Sequence, residues 1–437
     1  MNQADTRPDY FRGDWLIADH PDYAAARRRI YNLLRDPHPP VIARCRGVAD
    51  VRSALAYARE HGHRVVVRGT GWSLVGASAS DALTIDLGLM RGIRINRSER
   101  TAWIQGGVDG GDLQIEAQSA GLAAATGTLP TTGAGLILGG GFGYLSRRHG
   151  SVSGSVLAVE LVTAAGDVLL CSEDENQEVF WAIRGGIGAG LGVVTALKVR
   201  LYDLPENVLL GNLVWKGDRA PNAMRAFQGS LEWSSEDLGI IGMSTTEKVT
   251  LWVAHSGRPE TARAEVDRLK SSFGQPDEDT VASRPFRDAA FLHVPEFPPR
   301  RSLWPETVHF TEYRDDTIAA TLEPLADPVP GGAGAHRVME FSTTYGGLSR
   351  AADYAGAPPR DVAGTIRVSA GAFWENPADD ADHEEWISRS LAGLRATQRD
   401  EDRAAADDVA AAAAETLPRL VEVKRMLDPD DRLEGFL

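Results

Sequence analysis

Three glycine-rich segments hold residue types suited to gripping an anion. They are Arg68-Gly-Thr-Gly-Trp-Ser73, Pro130-Thr-Thr-Gly-Ala-Gly-Leu-Ile-Leu-Gly-Gly-Gly-Phe-Gly-Tyr144 and Arg184-Gly-Gly-Ile-Gly-Ala-Gly-Leu-Gly-Val-Val-Thr195. Glycine tolerates positive φ and lets successive backbone N–H groups crowd around a pyrophosphate without a basic side chain. The chain has no strict G-x-G-x-x-G, no Gly-Lys-Ser/Thr loop, no Gly-x-Ser-x-Gly elbow and no His-x-x-x-His pair with a nearby acid, so neither a P-loop nucleotidase, a serine hydrolase nor a zinc enzyme is indicated, and no metal site is expected. In the second half, His309, Tyr313, Glu340 and Tyr345 are candidate proton carriers and Arg367 a candidate anion clamp. Trp304, Phe373 and Trp374 are candidates to line an apolar pocket, although a packed core residue is the more ordinary reading of each.

The elements that position these residues follow a regular grammar in the first half. Asp50 reads as the cap of a helix with Val51, Leu55 and Ala58 on its apolar face and Gly62 as its stop, followed by a buried strand over 64–67 that feeds the first loop. Strands are expected at 82–87 and 101–105, a helix at 111–118 ended by Gly121, and a hairpin of 156–163 and 168–171 turned at Gly166-Asp167. A short helix at 178–183 and a strand at 196–201 complete this half, with a boundary near Pro205. Beyond it, strands are expected at 250–254, 338–342 and 365–369, with a helix at 260–273 whose Ala264, Val266 and Leu269 face a sheet. Residues 327–335 read as a loop, and the alanine–aspartate run 403–415 as a solvated helix or a mobile connection.

Composition sets outer limits. A chain of 437 residues with 43% hydrophobic content calls for two or three structural units. Its 61 acidic and 46 basic residues leave a formal charge of −15, which argues against nucleic acid and anionic membranes as partners. Cys45 and Cys171 stand far apart, as neither a disulfide framework nor a metal pair. The polar N-terminus lacks an apolar signal core, so a cytoplasmic location is expected.

The order and spacing of four segments resemble the berberine bridge enzyme-like flavoproteins of the vanillyl-alcohol oxidase and p-cresol methylhydroxylase (PCMH) superfamily. The segments are 40–50 (Pro-Val-Ile-Ala-Arg-Cys-Arg-Gly-Val-Ala-Asp), 68–73, 132–150, and 184–195 with the preceding Asp174-Glu-Asn and Phe180-Trp181. A weaker likeness closes the chain at 423–431, where Leu427 stands for the family's tyrosine and Asp431 for its asparagine; Tyr345-Gly-Gly-Leu348, Arg367 and Trp386 resemble scattered substrate-domain positions. The resemblance implies an α+β protein: a PCMH-type FAD-binding domain of two subdomains over 1–205, a substrate domain with a helix-covered sheet over 206–415, and a C-terminal return to the first domain over 416–437.

By the same resemblance, FAD lies along the glycine loops. The first loop, opened by Arg68, contributes Gly69, Thr70, Gly71, Trp72 and Ser73. The second contributes Thr132, Gly133, Gly135, Leu136, Gly139, Gly140, Gly143 and Tyr144, and the third Gly192 and Val194. Trp72 occupies the position of the family's flavin-bonding histidine and Leu129 that of its cysteine, so the implied flavin is noncovalent and a weaker oxidant. Gly190-Leu191 replaces the usual Asn-Phe, and the Tyr-x-Asn element before the last helix has no counterpart in 395–401. Two activities are implied. One is oxidation of an apolar, natural-product-type small molecule by hydride transfer to flavin N5, with molecular oxygen as acceptor; the alternative is a redox-neutral cyclase in which the flavin is mainly structural.

Overall fold

The computed structural model describes residues 7–184, 190–272, 274–293, 301–304, 306–350 and 362–435. Among them lie three sheets flanked by helices, an α+β arrangement. The first sheet contains β1 (Asp14–Leu16), β2 (Ile42–Arg44), β3 (Val65–Arg68) and β4 (Leu83–Asp86) in the order β1-β2-β4-β3, the last three parallel. A parallel neighbour requires a crossover, and the helix Val48–His61 supplies it, burying Val51, Ala54, Leu55 and Ala58 and closing on left-handed Gly62. Its cap is Gly47. Asp50 sits inside the first turn, fully buried, where its carboxylate accepts from the amides of Arg12 and Arg46.

The second sheet runs β5 (Ile93–Asn96), β6 (Thr101–Gln105), β10 (Val193–Tyr202), β8 (Val156–Val162), β9 (Val168–Ser172), with β7 (Ala123–Ala124) paired to the end of β10. The expected β8–β9 hairpin is present and turns at Gly166, φ 94°. The helix Gly110–Ser119 is capped by the Asp109 carboxylate, which accepts from the Asp112 amide.

The third sheet is antiparallel, in the order β14 (Glu278–Asp279), β11 (Asn207–Lys216), β13 (Lys248–His255), β12 (Leu238–Ser244), β18 (His336–Thr343), β19 (Ile366–Trp374), β16 (Arg301–Leu303). β15 (Ala282–Pro285) adds to β11 and β17 (Thr307–Phe310) to β19. Alternation along these strands creates two buried faces. One packs Trp215, Leu251, Phe341, Val368 and Trp374 beneath the helices Ala220–Trp233, Pro259–Ser272, Asp315–Leu322 and Asp380–Ala396. In Pro259–Ser272 the buried positions are Ala262, Val266 and Leu269, while Ala264, expected to face the sheet, is exposed. The other face presents Val208, Leu210, Ile241, Met243, Trp252, Val338 and Phe373 to Leu129, Tyr144 and Leu145 of the second glycine segment.

The alanine-rich run belongs to one continuous helix, Asp400–Leu427, and residue 415 falls inside it. Its last turns bury Leu420, Val423 and Leu427 in the core of the second sheet. The chain then pairs with β3, the Val65 amide donating to Arg432 O and the Glu434 amide to Val65 O. Among the described residues no helix is long and apolar enough to cross a membrane.

Candidate active site

Strand β3 delivers the first glycine segment, and β4 fixes its base. Arg68, 2% exposed, places its Nε 2.9 Å from Asp86 Oδ2. Beyond it, the amides of Gly69, Thr70, Gly71 and Ser73 have no acceptor among the described residues; only that of Trp72 turns inward, to Thr70 Oγ1 at 3.3 Å. Backbone donors left in this state are rare inside proteins unless a ligand or water takes them. Gly71 is required here: its φ is 81°, and a Cβ would lie 2.3 Å from Arg29 O.

The second segment meets the first directly. A Cβ on Gly133 would lie 2.6 Å from Thr70 Cγ2, and one on Gly143 would lie 2.1 Å from Thr126 O. Thr132 is buried, its hydroxyl on Leu129 O and its carbonyl holding the Gly110 amide. Gly135 faces open space, Gly139 closes the short helix Ala134–Leu138 that carries half-buried Leu136, and Gly140 adopts φ 100°. The amides of Gly140, Gly141 and Phe142 also have no acceptor among the described residues. In the third segment, 185–189 lie outside the described residues. Gly192 packs against Leu161, and Val194 O closes on Gly106, whose carbonyl in turn abuts Gly69. The three segments thus converge around Gly69 and Gly106, and the unpartnered amides of the first two fit a diphosphate. The diphosphate of an FAD would be held there by backbone donors rather than by lysine or arginine side chains.

Trp72 and Leu129 lie together in the apolar layer between these loops and the third sheet. The indole of Trp72 packs on Tyr31, ring centroids 4.8 Å apart, and joins the cluster of buried Leu129, Tyr144 and Trp304.

Opposite this layer, the third sheet presents a polar strip. Cross-strand register sets His309 beside Arg367 and Arg367 beside Ser342; one pair further along, Thr307, Ser369, Glu340 and Met243 follow in a row. Facing positions in an antiparallel ladder share one side of the sheet, and here it is the side turned to the glycine loops. Burial pushes the Glu340 carboxyl up to about 7, partly opposed by the Arg367 charge. The Arg367 guanidinium stacks over the Phe142 ring of the second loop at 4.6 Å. The His309 Nδ1 lies 3.0 Å from Thr365 Oγ1, which also donates to Val362 O.

Two expected site residues lie elsewhere. Tyr313 is in the core on the helix-covered face, its hydroxyl donating to Thr321 Oγ1. Trp374 is on that face too, its Nε1–H bonded to Asp380 and its ring stacked on His383. Tyr345 is half-buried, and its hydroxyl donates to Thr311 O. Trp304 and Phe373 do share the loop-facing side, edge to face at 5.9 Å.

Two residues there, His293 and Phe142, escaped the sequence reading, and a third, Tyr144, has a partner it did not show. Tyr144, expected only as a cofactor contact, is hydrogen-bonded to His293 Nε2 at 2.6 Å, and His293 stacks on Trp252 with centroids 3.9 Å apart. Burial holds the His293 imidazole down at about 3, so it is neutral. Burial and then the Glu340 charge raise the Tyr144 phenol above its ordinary range. Phe142 is the other. Glycine spacing marked its loop, yet nothing local distinguishes a ring that packs from one that carries an arginine.

Residues 39–172 match the family model described as an FAD binding domain. The chain is 36% identical over 265 residues to (R)-6-hydroxynicotine oxidase of Paenarthrobacter nicotinovorans, covering 59% of this chain and 57% of that protein. It is 34% identical over 189 residues to berberine bridge enzyme-like 27 of Arabidopsis thaliana, covering 42% and 35%. Over the matched regions the chain is thus similar to FAD-linked oxidoreductases of the berberine bridge enzyme-like and 6-hydroxynicotine oxidase kind, and residues 39–172 form an FAD-binding domain. The matched regions span a third to somewhat over half the length of these curated relatives. Among solved structures, 6-hydroxy-D-nicotine oxidase from Arthrobacter nicotinovorans superposes with a TM-score of 0.84 at 27% identity over 97% of both chains. The Physcomitrella patens BBE-like 1 protein shares the fold, with a TM-score of 0.81 at 20% identity.

Proposed function

We propose that the protein binds FAD noncovalently and oxidises a largely apolar small molecule of the natural-product type, with molecular oxygen as the final acceptor. The observation that carries this reading is Glu340, a half-buried carboxyl beside Arg367 on the sheet face turned toward the glycine loops. Bound FAD supplies a hydride acceptor. The chain supplies the rest.

Trp252, Trp304, Phe373 and Phe142 offer apolar walls, and the polar strip orients a substrate hydroxyl or amine across them. Glu340, poised near neutrality, takes the proton from that group, which raises electron density on the carbon that loses hydride. Arg367 balances the negative charge that results. The hydrogen bond between Tyr144 and neutral His293 fixes the phenol near Glu340. Trp72 and Leu129 have no atom that can bond to the flavin, and the apolar layer they form would hold a ring system by packing.

Two measurements test this. Acid precipitation of the purified yellow protein releases all of its FAD to the supernatant; flavin retained on the pellet would refute noncovalent binding. Anaerobic mixing with candidate hydroxy-aromatic or amine substrates bleaches the flavin absorbance. Turnover with unbleached flavin and no oxygen uptake in air would instead establish redox-neutral cyclisation.

A further inference from the structure

Beneath the first glycine segment lies a charge cluster that the proposed chemistry does not use. Asp86 is fully buried, and its carboxylate accepts from Arg68 Nε at 2.9 Å, from the Gly88 amide at 2.8 Å and from the Arg29 guanidinium. Two arginines on one carboxylate leave a net charge of +1. Arg29 is only partly exposed, and its Nε is buried with no acceptor among the described residues.

The backbone around Arg29 runs along the same loop. Arg29 O abuts Gly71, the Tyr31 amide donates to Gly71 O at 3.0 Å, and Asn32 Nδ2 donates to Leu74 O at 2.7 Å. The unpartnered amides of Gly69, Thr70, Gly71 and Ser73 therefore belong to a loop whose base carries a surplus of positive charge on partly exposed Arg29.

We propose that Arg29 is a positioning residue for the FAD diphosphate: it supplies the unneutralised charge behind the loop while its backbone fixes the loop's shape. The inference rests on the FAD reading above. A fixed cation in a poorly solvated site acts on a dianionic diphosphate far more strongly than the same charge in water. Nothing local in the sequence marks Arg29, because its partner Asp86 lies 57 residues away in β4.

The test is FAD affinity of the apoprotein, read by quenching of flavin fluorescence, for Arg29→Gln and Arg29→Lys, with the melting temperature of each apoprotein measured in parallel. Arg29→Gln is expected to weaken FAD binding by about tenfold, the scale of one charge-assisted interaction, and Arg29→Lys by no more than about threefold. A glutamine variant that binds FAD within about twofold of wild type overturns the proposal. So does a lysine variant that loses as much affinity as glutamine, since the guanidinium then acts through shape rather than charge. If the wild-type apoprotein takes up no FAD at all, the FAD reading itself has failed, and the distinction is visible in that single control.

Discussion

At the scale of single residues, function turns on side chains whose surroundings differ from what their sequence neighbours suggest. Glu340 interrupts the apolar run Val338-Met339-Glu340-Phe341, a visible anomaly, yet its role depends on Arg367 and Met243 from neighbouring strands. Glu340→Gln is expected to lower turnover by about 10²–10⁴-fold, the usual contribution of a positioned general base. Because the carboxylate is the working form, kcat/KM of the wild type should rise with pH through about 7, and the variant should lose that limb. The stability sign is opposite. A carboxyl raised above its ordinary value favours the folded state when protonated, and that contribution is lost as pH rises through about 7. At pH 8 the glutamine apoprotein should therefore be more stable than wild type by about 1–3 kcal/mol in denaturant titrations. Trp72→His tests the loop: flavin should become acid-stable on the precipitated protein if residue 72 sits at the family's bonding position, and flavin released in full would place the ring elsewhere.

At the scale of elements, the β8–β9 hairpin, the helix Val48–His61 and the strand that feeds the first loop were legible because alternation, helical periodicity and turn residues agreed locally. β12 was not. Leu238–Ser244 is buried on both faces, so it has no alternation to read. The segment 395–401 lacked its family motif, and the structure shows what it does instead. Gln398 Nε2 donates to His309 O, and buried Asp402 accepts from both the amide and hydroxyl of Thr311, from the Arg399 amide and from Arg314. The start of the helix Asp400–Leu427 thereby clamps β17, the strand that carries His309. Such a network is costly to break, because its donors are left without an acceptor. Asp402→Ala should cost about 3–5 kcal/mol in thermal or denaturant unfolding. Amide exchange should rise first in residues 307–313; unchanged protection there would show that β19 pairing alone holds the strand.

At the scale of the molecule, the site exists only where the glycine segments close against the third sheet, and contacts separated by 100 or so residues make that closure. No periodicity or spacing could show them. Tyr144 is one, through His293 and through its backbone, against which a Cβ on Gly239 would clash at 2.5 Å. Arg147 is the stronger. It is 7% exposed and donates at 2.9 Å to both Leu238 O and Ser234 Oγ, while Gly346 lies close against its own carbonyl. Arg148 adds a pair to Asp237 at 2.9 Å, but both partners are partly solvated, and such a pair contributes less. Arg147→Met keeps the bulk of the side-chain stem and removes only the donors, leaving a buried carbonyl at the start of β12 unsatisfied. The expected loss is about 2–4 kcal/mol in denaturant unfolding. If Arg147 fastens the loops to the sheet, hydrogen exchange in 234–244 should accelerate while β8 and β10 keep their protection, and FAD affinity should weaken as the apolar layer over Trp72 loosens. A uniform rise in exchange across all three sheets would mean instead that the loops and the sheet unfold as one unit, and that closure is set by the apolar layer rather than by this arginine.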